Sequence, residues 1–405
     1  MLPENIAKHL NIAAYNLATG QLLPKECPLM IITPKIDYDR VYVADQLMDL
    51  KAGVPYRLNR FVVDDFIGKV DDKNDFDVKP CEITHAKCYK YGDNLNGKRL
   101  LIIMEYMAIG DIVWLQTALR LFLKRHPELQ HVTICTQDLE RWQSFNRLVP
   151  EVRSFELKDR MTNFACDDHD VILRFASTVI DTLKHNMYDT QIAHCLLDPD
   201  TLTAEEKKPE MFIGDSMRKM AIEEILPRDY GIDLRSSGKK LAIIHAHGST
   251  PIKSQKPETI KEIARLLVKE NYHVMVIGHD RRKYGFVMPG VINVVGHTKS
   301  FYYICTILSG ADVLIAPDSG FAHLSGVTGT PLVWMPGPFD VDYLHKYHPN
   351  IITVRAKSNC PTQPCQKHTC EYSTEEFPPC VNQKPAEVVA AVKEILDHNK
   401  LQEVI

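Results

Sequence analysis

From Lys98 onward, short apolar runs alternate with helical patterns, and this alternation restricts the fold more than any other feature of the chain. The runs are "RLLIIMEY", "HVTICT", "DVILRF", "LAIIHAHG", "HVMVIG", "INVVG", "DVLIAPD", "PLVWMPG" and "IITVRA". They are nearly continuous in apolar residues, as suits strands buried on both faces of a parallel sheet. Between them lie "WLQTALRLFLKRHP" and "PETIKEIARLLVKENY". In the second, Ile260, Ile263, Ala264, Leu267 and Val268 recur at helical spacing, and Pro257 suits a first helical turn. The alternation predicts βαβ units with right-handed crossovers.

The rhythm breaks between Lys184 and Lys239, where "DPDTLTAEEKKPE" and "LRSSGKK" are more polar. This predicts two α/β domains, residues 96–235 and 236–384. A terminal helix over 385–405 follows, with Val388, Val392, Ile395 and Leu396 on one face. Residues 1–95 carry short strands and acidic turns without a βαβ rhythm, so they read as an accessory region. A length of 405 residues suits two or three domains, and 45% apolar content can fill their cores. A net charge of -4 gives no overall basic field for nucleic acid. No apolar run reaches the ~18 residues of a spanning helix. The opening "MLPENIAKHLNIAAYNLATGQ" lacks a basic segment followed by an apolar core, so a cytoplasmic protein is expected.

Three strand ends carry groups suited to chemistry, because ligands of open α/β sheets bind outside the carboxyl ends of the strands. "DVLIAPDSGFAHLSGV" sets Asp318, Ser319 and Gly320 at such an end, with His323 in the first turn of the next helix. Free N–H groups there suit a phosphate, although Asp318 or Ser319 could simply cap the helix. "EYMAIGDIVW" sets Gly110 and Asp111 at another end, where Asp111 is a cap or a general base. "HAHGSTPIKSQKPE" offers Ser249, Thr250, Lys253 and Lys256 for a phosphate, or forms an ordinary solvated loop.

Together these segments resemble glycosyltransferase family 9, the ADP-heptose heptosyltransferases. "NGKRLLIIMEYMAIGDIVWLQTALRLFLKRHPELQHVTICT" is similar to the family's opening. "VVGHTKSFYYICTILSGADVLIAPDSGFAHLSGVTGTPLVWMPGP" resembles its Asp-Ser/Thr-Gly-x-x-His signature. "CQKHTCEYSTEEFPPCVNQKPAEVVAAVKEIL" resembles a cysteine-bearing tail seen in many members. The resemblance runs over about residues 96–396. It implies a GT-B fold, two Rossmann-like domains with the active site in the cleft between them. The first would hold the acceptor and the second an ADP-activated sugar. Asp318, Ser319, Gly320 and His323 match the residues that hold the donor's pyrophosphate and sugar. Asp111 matches the general base, and the lysine of the family's loop falls at Lys253 or Lys256. The transfer so implied requires no divalent metal. A subgroup that modifies autotransporter proteins also carries an N-terminal extension and an iron-binding cysteine tail. The acceptor stays open between a lipopolysaccharide core sugar, a protein hydroxyl and a hydroxylated DNA base, and a homo-oligomer is compatible with this reading.

Eleven cysteines is an odd count, and seven are scattered, which argues against a secreted disulfide scaffold. Cys360, Cys365, Cys370 and Cys380 crowd together with intervals of four, four and nine residues. Four thiols so close suit a structural Zn or Fe site, with His368 a spare ligand; otherwise they are disulfides or reduced thiols. A non-catalytic GT-B-like binding or assembly protein is the rival reading. An oxidoreductase is disfavoured, because no Gly-x-Gly-x-x-Gly follows a strand.

Overall fold

The computed structural model describes residues 2–9, 29–43, 46–70, 72–80, 87–104, 108–136, 155–159, 169–175, 186–210, 215–297 and 300–402. They fall into two compact units. The first is drawn from Met1–Met107, Leu119–Ile180 and Ile192–Asp200, the second from Ala108–Ala118, Asp181–Gln191 and Thr201–Ile405.

In the first unit, β1 (Leu29–Pro34), β2 (Tyr38–Val43), β3 (Gln46–Leu50), β4 (Tyr56–Asn59) and β5 (Phe76–Pro80) are antiparallel. They form a three-stranded sheet in the order β4-β1-β5 and the hairpin β2-β3. Ile32, Leu50, Val63, Phe66 and Phe76 make a small core of their own. Then come β6 (Lys87–Cys88), β7 (Arg99–Met104), β8 (His131–Thr136), β9 (Phe155–Asp159) and β10 (Val171–Phe175), a parallel sheet in the order β6-β10-β7-β8-β9. Three of these strands are the expected runs. Strand β9, "FELKD", alternates polar and apolar residues and escapes a search for continuous runs. Strand β6 shows that the segment before residue 96 supplies the edge of this sheet.

In the second unit, all six expected runs are strands: β11 (Leu241–His245), β12 (His273–Ile277), β13 (Val291–Asn293), β14 (Val313–Pro317), β15 (Leu332–Met335) and β16 (Ile351–Thr353). Their order is β13-β12-β11-β14-β15-β16, parallel throughout. Every residue of β11, β14 and β15 is buried, which explains their continuous apolar character. Helix Pro257–Lys269 starts at its proline and buries Ile260, Ile263, Ala264 and Leu267. Val388, Val392, Ile395 and Leu396 of helix Pro385–Gln402 join the same core.

The polar stretch between 184 and 239 is more structured than its composition implies. Among its described residues, Met187–His194, Asp215–Met220 and Leu226–Tyr230 are helical. Lys207 is 5% exposed, with Nζ 2.8 Å from Asp189 Oδ1 and 3.0 Å from the Tyr347 hydroxyl. Burial pushes the Asp189 pKa up, but hydrogen bonds from Lys207 and Asn186 outweigh it and hold the carboxyl below its usual range. Charges buried as pairs read as surface in a sequence.

Candidate functional site

Strand β14 ends at Pro317, so Asp318 and Ser319 leave the sheet at its carboxyl edge. Ser319 is extended, and its hydroxyl accepts the Ala322 N–H, capping helix Gly320–Thr328. His245 Nδ1 lies 3.1 Å from the same hydroxyl. The geometry exceeds a cap at Asp318, which is 3% exposed and receives Lys253 Nζ at 2.7 Å. His323 is also buried, with Nε2 3.9 Å from the other Asp318 oxygen. Burial, then the Lys253 and His348 charges, push the His323 pKa down to about 3. Its imidazole is therefore neutral near pH 7 and offers hydrogen bonds in place of charge.

Asp111 is not the N-cap of its helix. It stands at the third position of Ile109–Arg125, and its Oδ2 reaches back to accept the Ala108 N–H at 2.9 Å. That is one half of a capping box. Burial pushes its pKa up to about 6, against the Ala108 hydrogen bond and the Lys253 charge, which both lower it. Lys253 thus acts on both carboxylates, Asp111 and Asp318, although the three residues come from distant parts of the chain.

Two glycines make this approach possible. A Cβ on Gly110 would lie 2.7 Å from His323 Cδ2, and one on Gly320 would lie 2.7 Å from Ile109 Cβ. Each helix start is in contact with the other only because both lack a side chain there. Trp114 completes the contact, its ring edge-on to His323 at 4.8 Å and its Nε1–H donating to the Leu344 carbonyl.

In the loop after β11, Pro251–Lys253 forms one 3-10 turn, with the Ser254 hydroxyl donating to the Thr250 carbonyl at 2.7 Å. The turn carries Lys253 over the Phe339 ring, 4.6 Å from its centroid. Thr250 Oγ1 is buried without a hydrogen-bond partner among the described residues. Ser249 is exposed. Lys256 is the N-cap of Pro257–Lys269 and makes no ion pair among the described residues. Of the two candidate lysines, Lys253 is the one at Asp318.

Sequence reading missed Phe339, His245 and His345. Phe339 follows β15 at the same sheet edge and was open to the rule that singled out Asp318. His345 is 1% exposed and stacks on His323 at 4.3 Å, an arrangement without a local sequence signal.

Cys360, Cys365, Cys370 and Cys380 are free thiols lining one cavity of about 20 Å³, together with Ile252 and Pro338. Burial and the other three cysteines push the Cys380 pKa up to about 11. A hydrogen bond with Thr362 lowers that of Cys360. Two groups of potential metal ligands lie mutually within 4.8 Å among the described residues: Asp318 with His323 and His345, and His9 with Asp198 and Asp200. The four thiols share a cavity at wider spacing. Among the described residues, no helix is long and apolar enough to cross a membrane.

Residues 198–375 match the family model described as glycosyltransferase family 9 (heptosyltransferase). A lipopolysaccharide heptosyltransferase 1 of Pseudomonas aeruginosa is 25% identical over 157 residues, covering 36% of this chain and 44% of that relative. The match thus spans less than half of the curated relative's length. A glycosyl transferase family 9 structure from Veillonella parvula aligns with a TM-score of 0.56 at 14% identity, covering 76% of this chain and 99% of that one. TibC, an iron-containing dodecameric glycosyltransferase of enterotoxigenic E. coli, aligns with a TM-score of 0.52 at 14% identity, covering 93% of each chain. TibC is also solved in complex with ADP-D-beta-D-heptose. These likenesses bear out the α/β GT-B fold expected from the sequence.

Proposed function

We propose that this chain, whose residues 198–375 match the model of glycosyltransferase family 9, moves a heptose-like sugar from an ADP-activated donor to an acceptor hydroxyl. The observation that carries this reading is the contact of the two helix starts, Gly110 against His323 and Gly320 against Ile109, beside the Lys253–Asp318 pair whose Lys253 charge also acts on Asp111. Asp111, ionised above about pH 6, takes the proton of the acceptor hydroxyl as that oxygen attacks the anomeric carbon. The bond from that carbon to the β-phosphate oxygen breaks, and ADP departs. Lys253, Thr250, Ser249 and Ser319, with the N–H groups that begin at Gly320, hold the leaving diphosphate. His323 donates to it as a neutral imidazole, Asp318 fixes Lys253, and Lys256 stands at the rim.

A non-catalytic binding protein would have no use for a carboxyl of raised pKa with one oxygen left outside its cap. A lipopolysaccharide sugar, a protein hydroxyl and a hydroxylated DNA base present the same nucleophile to Asp111, so all three remain acceptors of this chemistry. In the proposed division, 96–235 serves the acceptor, 236–384 the donor, 1–95 is accessory and 385–405 closes the chain. The TibC likeness extends over 93% of this chain, which supports kinship with extended members and, by analogy with that dodecamer, self-association. A cytoplasmic location belongs to the same proposal. The direct test is selective retention of ADP-heptose and transfer of its sugar to a hydroxyl.

Cys360, Cys365, Cys370 and Cys380 line one small cavity, but no three of their sulfurs lie mutually within 4.8 Å, so they would have to draw together to hold a Zn or Fe ion. Cys360, Cys365, Cys370 and Cys380 would hold it, and it would supply a structural cross-link. Protein purified under reducing conditions is expected to carry about one equivalent of zinc plus iron, released by a strong chelator. Less than about a tenth of an equivalent, with all four thiols alkylated in the native state, would rule the metal out.

A further inference from the structure

The cysteine segment is fastened to the sheet edge that carries Lys253 and Asp318. The Gln363 side chain donates to the Gly337 carbonyl at 2.9 Å, and the Gln366 N–H donates to the Pro338 carbonyl at 3.0 Å. Ile252, the neighbour of Lys253, packs among Phe377, Cys380 and Val381. These contacts deliver His368 to the Phe339 ring, with the two centroids 5.5 Å apart at 55°. Phe339 is the ring on which Lys253 rests. Unlike Asp318 and His323, His368 is exposed, and neither of its nitrogens has a hydrogen-bond partner among the described residues.

We propose that His368 is a donor-contacting residue, hydrogen-bonding the sugar and β-phosphate end of the nucleotide-sugar held at Lys253 and Asp318. This rests on the transferase reading above. It gives the cysteine segment a second role, presenting a ligand-binding side chain as well as closing a loop. An imidazole there bonds a sugar hydroxyl or a phosphate oxygen, and the Phe339 ring limits the orientations it can take. The adenosine end is outside its reach in this proposal, which separates it from a residue that merely steadies the loop.

The test is calorimetry of wild type, His368→Ala and His368→Asn with ADP-heptose and with AMP. Zinc plus iron content is measured on each sample. His368→Ala should weaken ADP-heptose binding about tenfold, the scale of one good hydrogen bond. His368→Asn should recover part of the loss, AMP binding should not change, and metal content should match wild type. Unchanged ADP-heptose affinity in His368→Ala would overturn the proposal. Equal weakening for AMP, or loss of metal alongside the affinity, would also overturn it, because the effect would then be structural. Wild-type protein that binds AMP but not ADP-heptose would overturn the transferase reading itself, and this inference with it.

Discussion

Replacing Asp111 with asparagine is expected to cut turnover by roughly 10²–10⁴-fold and leave ADP-heptose affinity nearly unchanged. Asparagine can still accept the Ala108 N–H through its amide oxygen, so the helix start keeps its bond. What it loses is the ability to take a proton. The same residue should set the acid limb of the wild-type rate. Burial raises its pKa to about 6. Below that value the carboxyl is protonated and cannot serve as a base, so kcat/KM should fall as pH drops through about 6. The residual rate of Asp111→Asn should lack this limb. Its stability sign is opposite to that of a salt-bridged aspartate. A carboxyl that binds its proton more tightly when folded is less destabilising as pH falls from 6 toward 3.8. A variant that keeps most of its rate, with the acid limb in place, would reduce Asp111 to a helix cap.

Lys253→Met should abolish most donor binding, by about a hundredfold or more, because it removes the only cation that acts on both carboxylates among the described residues. It should also lower stability by about 3–5 kcal/mol, since Asp318 is left as a buried charge without its partner. The two effects separate in the double variant Lys253→Met with Asp318→Asn. Removing the orphaned charge should restore most of the stability and none of the binding. Denaturant unfolding and calorimetry on the three proteins check this. A single variant that binds ADP-heptose normally would show that the Lys253–Asp318 pair is purely structural.

The second unit was legible in the sequence because its strands are buried on both faces, and a doubly buried strand has to be apolar along its length. The ends of those strands were legible for the same reason, since each apolar run stops where a polar loop begins. Asp318, Ser319 and Asp111 could thus be located, but the meeting of the helix start at Asp111 with the one at Ser319 could not. Nothing in "AIGDIV" or "DSGFAH" records that the two segments approach each other. The reason lies in Gly110 and Gly320, which look like ordinary loop glycines until their missing Cβ atoms are seen to point at His323 and Ile109. Lys207 was hidden differently, because a lysine neutralised by a buried aspartate has the same letter as a solvated one. In sequence His368 keeps the company of cysteines and suits a spare metal ligand, whereas its spatial neighbour is Phe339.

In the proposed transferase, Asp111, Lys253 and Asp318 serve one reaction, transfer from an ADP-linked sugar. Native mass spectrometry of the chain with equimolar ADP-, UDP-, GDP- and CDP-sugars tests it most directly. The expected spectrum shows ADP-heptose retained one per chain, and its conversion to ADP when a hydroxyl acceptor is added to wild type but not to Asp111→Asn. Retention of another nucleotide-sugar in its place would contradict the account, as would conversion at the same rate in both proteins.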